Sequence, residues 1–177
     1  MNRVPLALIF VLTLAAASSA FAQGSPAATT TATVSGKTLT VRYAAPSVRG
    51  RQIFGPGGLL SKDPTYPAWR AGANSATTFI TDGALDIGGL AVPPGTYTLY
   101  AWVEDPANWL LIVNKQTGQW GLSYDPKQDL GRVKMTMSKP PAPVETLKYT
   151  ITDQGGGKAE LRLEWENHVA TVPITVK

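Results

Sequence analysis

From Thr38 onward, apolar and polar side chains alternate with a period of two. Leu39, Val41 and Tyr43 interleave with Thr38, Thr40 and Arg42, the pattern of a strand with one buried face. Thr77 to Thr81 is β-branched and aromatic, and Leu85 and Ile87 lead into Gly88-Gly89, a hairpin-type turn. After Pro93-Pro94-Gly95, the run Thr96 to Val103 is bulky on both faces, with Tyr97, Leu99, Ala101 and Val103 on one and Thr98, Tyr100 and Trp102 on the other. Such a run predicts a central strand covered on both sides. Trp109 to Asn114 follows a turn at Asp105-Pro106-Ala107-Asn108, and Val133, Met135 and Met137 alternate with Arg132 and Lys134. Leu147, Tyr149 and Ile151 alternate next. Gly155-Gly156-Gly157 turns the chain into Leu161, Leu163 and Trp165, and Ala170, Val172, Ile174 and Val176 close it. No segment carries a helical period. Short strands separated by turn signals about every 8–12 residues predict an all-β fold, an antiparallel β-sandwich of about nine or ten short strands, with a flattened β-barrel as the alternative.

Three segments stand outside this pattern. Residues 1–22 carry Arg3, an apolar run from Val4 to Ala17 broken by Pro5 and Thr13, and Ala20-Phe21-Ala22, the tripartite layout of a signal peptide cleaved after Ala22. The run is shorter than the ~20 apolar residues of a membrane span. The expected product is a periplasmic or secreted chain from Gln23 with no transmembrane segment. Residues 23–36, rich in Ala, Thr, Ser and Gly, read as a flexible leader. Residues 37–177 then form a single β-sandwich domain, with Lys139-Pro140-Pro141-Ala142-Pro143 as a stiff crossover between the two sheets.

Composition narrows the chemistry. The chain has no Cys and one His, so disulfides, thiolate nucleophiles and His-rich zinc sites are excluded by count. His168 starts an alternating strand, and no Gly-x-Ser-x-Gly elbow supplies it with a nucleophile. Asp125 and Asp129, or Asp82 and Asp86, match no calcium-loop spacing and read as turn formers. No metal, cofactor or catalytic residue is assigned, and the chain reads as a binding or structural protein rather than an enzyme. The net charge is +4, yet residues 37–72 hold Lys37, Arg42, Arg49, Arg51, Lys62 and Arg70 against Asp63 alone. With no long basic run or nucleic-acid module, nucleic acid is not the expected partner.

The segment Tyr66-Pro67-Ala68-Trp69-Arg70-Ala71-Gly72-Ala73-Asn74 mixes an aromatic, a permanent cation, glycine and an amide. Trp69 and Trp120 sit beside glycine and polar residues at strand ends, where a half-exposed ring stacks on a sugar or peptide face. An adjacent guanidinium grips a carboxylate bidentately. Arg49 and Arg51, two apart, share one face of an extended chain. The candidate ligand site is therefore Arg49, Arg51, Trp69, Arg70, Asn74 and Trp120, for a small-molecule, glycan or peptide ligand of anionic or sugar-like character. The competing reading ties Arg70 to an internal carboxylate such as Asp82 or Asp125, in an envelope structural or assembly protein. A third, a periplasmic hydrolase, needs His168 or a carboxylate pair in a cleft beside Arg70.

Three stretches together, Tyr43 to Gly55, Trp69 to Thr77, and Asn114 to Gly121 with Tyr124-Asp125, resemble one family. With Pro94-Gly95-Thr96-Tyr97 and Leu163-Glu164-Trp165-Glu166, they are similar to the exported bacterial domain of unknown function 2911. The resemblance spans nearly the whole chain after residue 22. It implies a secreted or periplasmic β-rich domain of Gram-negative bacteria and no assigned reaction. One departure matters: family members often carry Glu where this chain has Ser75, and without that acid as base or ligand the enzyme reading is weakened here.

Overall fold

The computed structural model describes residues 24–177, so the expected signal peptide and its cleavage point lie outside the described residues. Thirteen strands pair antiparallel into two sheets that do not close into a barrel. The sandwich is as expected, with more strands than the alternation suggested. The first sheet runs β1 (Ala27–Val34), β2 (Lys37–Ala44), β4 (Thr77–Thr81), β7 (Gly95–Trp102), β8 (Leu110–Asn114) and β9 (Asp129–Lys134). The two-residue β3 (Ala68–Trp69) pairs with the far end of β7, beyond β4. The second sheet runs β11 (Val144–Gly155), β12 (Lys158–Glu166), β13 (His168–Val176), β5 (Leu85–Ile87) and β6 (Leu90–Val92), with β10 (Thr136–Ser138) paired to the start of β13.

The pleat explains the core. On β12, Ala159, Leu161, Leu163 and Trp165 are buried while the residues between them are not. Opposite them, Phe79, Leu99, Leu111 and Val113 project from the first sheet into the same core. As expected, β7 is central and covered on both faces. Tyr100 and Ile112 form a second small apolar group on the outer side, with Ala68 and the partly buried Trp102 and Tyr124.

Two expectations are corrected. The flexible leader is instead β1, whose eight residues pair with β2 from Ala27↔Ala44 to Val34↔Lys37. Thr30 Oγ1 also donates to the Tyr149 carbonyl across the sandwich, at 2.8 Å. The sheet change falls not at Lys139–Pro143 but at Met135, the one residue between β9 and β10; the proline segment joins β10 to β11 within the second sheet. β12 and β13 are both interior strands, and on the outer face of β12 Glu164 pairs with Arg162 at 3.1 Å and with Lys148 of β11 at 3.5 Å.

Candidate functional site

Between β2 and β4 the chain makes a long excursion over one end of the sandwich, and this loop builds the candidate site. β3 fixes its centre. Trp69 stands opposite Ala101 and faces inward, so Ala68 and Arg70 face out. Trp69 is therefore 2% exposed rather than half exposed. Its Nε1 donates to the Gly72 carbonyl at 3.1 Å, and its ring stacks on Trp165 at 5.5 Å and 21°. A ring held this way is wall and floor, not a platform for a sugar.

Arg70 is the outward neighbour. Its Nη1 lies 3.1 Å from Asp63 Oδ2, with both side chains mostly buried. Neither Asp82 nor Asp125 is its partner: Asp82 accepts from the Thr38 amide and Asp125 caps the turn at Lys127. The Nε of Arg70 is buried and has no hydrogen-bond partner among the described residues. Burial pushes the Tyr100 hydroxyl up; the Gln119 hydrogen bond and the nearby Arg70 charge oppose this, and Asp129 adds to it.

Arg51 reaches the same place by another route. Arg49 and Gly50 take left-handed backbone angles, φ 51° and 66°, so the segment turns and the two arginines do not share the face of an extended strand. The turn folds Arg51 back on itself: Nε donates to Val48 O at 2.9 Å and Nη2 to Ser47 O at 2.6 Å. The backbone amide of Arg49 instead binds Glu145 Oε1 at 2.8 Å. A cleft of about 180 Å³ brings together Arg51, Asp63, Trp69, Arg70, Ala73 and Trp165. Arg49, Asn74 and Trp120 are not in its wall. Asn74, at φ 59°, lines a separate shallow cleft of about 340 Å³ with Arg42, Ser75 and Thr78. Trp120 is 54% exposed, as expected, and its backbone bridges Ser75.

The three stretches that stand out in the sequence meet at this corner. The Ala73 amide donates to Ala44 O at 3.1 Å, Ala76 to Gln119 O at 3.3 Å, and Gly121 to Asn74 O at 3.1 Å. Residues 71–76 are thus clamped between the end of β2 and the Gln119–Gly121 segment. A model of proteins of unknown function, DUF2911, matches residues 25–174. The chain belongs to the DUF2911 family. No curated protein and no solved structure matches it. In this DUF2911 protein the matched segments close over Arg70, and Gly121 is small for that reason. A Cβ on Gly121 would collide with Arg70 Cδ and lie 2.6 Å from Asn74 O.

Two participants were not legible from sequence. Asp63 is the only acid in the basic window, but nothing in its spacing ties it to Arg70. Trp165 belongs to the opposite sheet and reaches the cleft only through the fold. His168, named above for a hydrolase, is not beside Arg70. It packs against Phe54 at 4.5 Å and Trp109 at 5.2 Å, and Phe54 stands between it and Trp69.

Proposed function

We propose that this protein is a binding module, with the cleft between Arg51 and Arg70 taking the acidic group of a small-molecule, glycan or peptide ligand. Two guanidinium groups against one carboxylate in the wall of this cleft carry this reading. A carboxylate docked there meets the guanidinium groups of Arg70 and Arg51, the charge-assisted arrangement that favours arginine at anion sites. The cleft takes one such group, so the rest of the ligand lies outside it, with the exposed Trp120 at the same corner as the ring for a sugar to stack on.

Isothermal titration with glucuronate against glucose tests this. Glucuronate should bind, and Arg51→Gln should weaken it about tenfold, the ~1.4 kcal/mol scale of one charge-assisted contact. Equal affinity for the two sugars, or indifference to Arg51→Gln, overturns the reading. One observation favours the structural alternative: the Arg70–Asp63 pair and the Gly121 lid hold Arg70 as an internal corner. On that reading no anion binds, while Asp63→Asn still lowers stability.

Export to the periplasm or the medium is the accompanying proposal, supported by the tripartite pattern of residues 1–22. Intact mass of the protein from osmotic-shock fluid or culture supernatant should correspond to a chain starting at Gln23. A cytosolic chain retaining Met1 would sink it.

A further inference from the structure

A second cleft opens at the same end of the sandwich, on the other side of Phe54. It is lined by Pro106, Ala107, Met137, Lys139, Asn167 and His168 and measures about 460 Å³, within the ~300–1,000 Å³ of small-molecule sites. Its walls come from three places: the β7–β8 turn, the exit of β10, and the tight turn between β12 and β13. Most of the surface is apolar, and Lys139 supplies a cation at the rim.

His168 is held in this cleft by geometry. It stands opposite Trp165, on the inward face of β13, and stacks on Trp109 at 15°. Its Nδ1 is buried 3.4 Å from Glu166 Oε2, which leaves Nε2 as the nitrogen available to the cleft. Glu166 is fixed in turn, its Oε1 accepting from the Ile53 amide at 3.4 Å. Glu166 also holds φ 53°, a left-handed conformation unusual for this residue type. A tight turn would accept Gly or Asn there with less strain, so the carboxylate is retained against a conformational cost. Ser138 also lines the cleft, although its register opposite Val169 sets it on the other face of the pleat from His168.

We propose that this cleft binds an apolar monocarboxylic acid, its carboxylate between the Lys139 ammonium and the His168 imidazole and its hydrocarbon part on Met137, Pro106 and Ala107. In the free protein burial keeps His168 below the usual histidine range; Glu166 pulls it up and Lys139 pushes it further down. These two are the charged groups acting on the ring. A bound carboxylate adds a second anion on the Nε2 side. The imidazole then takes a proton from solvent and donates from Nδ1 to Glu166 and from Nε2 to the ligand. Binding and protonation are therefore linked, each strengthening the other by the same factor.

The chain has one histidine, so proton NMR of the full-length protein shows a single imidazole to follow. Titration with octanoate should move the His168 C2–H signal toward its imidazolium position and raise its midpoint by about one pH unit, equivalent to about tenfold tighter binding at low pH than at high pH. Octanol, which has the tail without the charge, and acetate, which has the charge without the tail, should each bind at least about tenfold more weakly. Lys139→Gln changes an exposed side chain and should lose about tenfold in octanoate affinity while keeping the wild-type melting temperature. The proposal is overturned if the imidazole signal does not respond to octanoate, if octanol binds equally well, or if Lys139→Gln binds octanoate like wild type.

Discussion

Arg70 shows how much one side chain is asked to do. It follows a two-residue strand, pairs with Asp63 seven positions earlier, and has its stem covered by Gly121 from a distant loop. The glycine is the part most easily tested. Gly121→Ala forces Arg70 or the Asn74 carbonyl to move, so stability should fall by about 1–3 kcal/mol, the usual cost of overfilling a packed site. Urea unfolding would measure it, and wild-type stability would mean that the corner yields freely. That Arg70 forms an ion pair was one of two readings open in the sequence; the identity of the acid was not. Asp63 follows a 3₁₀ turn at Leu60–Lys62, and nothing in residue type or spacing says that such a turn swings its carboxylate toward Arg70. The convergence of Arg49 with Arg51 failed for a related reason. It assumed an extended backbone, and Arg49-Gly50 is left-handed.

At the scale of elements, strands that bury one face were legible wherever the buried residues are large. β12 and β7 follow directly from Leu161, Leu163 and Trp165, and from Tyr97, Leu99 and Ala101. β1 was not legible, because Ala-Ala-Thr-Thr-Thr-Ala-Thr-Val buries only Val34 fully and pairs through its backbone. Threonine at alternate positions carries strand propensity without the apolar contrast that marks a face. The difference between a leader and a strand has a measurable outcome. Removing residues 24–34 should cost about 2 kcal/mol or more, since Val34 alone is worth roughly 1.5–3 kcal/mol on full burial. A true leader could be deleted with a change within about ±0.5 kcal/mol. Equilibrium unfolding of the trimmed chain separates the two.

The molecule as a whole is organised around one aromatic cluster. Phe54 touches Trp69 and Trp165 on the side of the arginine cleft, and Trp109 and His168 on the side of the apolar one. Neither cleft could be assembled from sequence, because their walls come from both sheets. Two titratable groups, His168 beside this core and Glu164 on the outer face of β12, make global stability sensitive to acid in two windows. His168 is held below its ordinary 6.5 by burial, so the unfolded chain takes up its proton more readily and stability falls as pH drops through that value. Glu164 is raised by burial but lowered further by Arg162 and Lys148, to a net value below its ordinary 4.5; its contribution is present above that value and lost beneath it. Unfolding free energy measured from pH 8 to 3 should decline in both windows, and His168→Gln should flatten only the upper one. A wild-type curve level between pH 8 and 5 would contradict the first assignment.

The position of β13 has a consequence for how the chain comes to be folded. It lies between β12 on one side and β5 and β10 on the other, yet follows all of them in order of synthesis. Until residues 168–176 have emerged, the second sheet lacks its middle, and β5, made some eighty residues earlier, has only its hairpin partner β6. Pairings this distant in sequence form slowly. The first sheet needs no strand beyond β9, whereas the second is held in two pieces until β13 joins them.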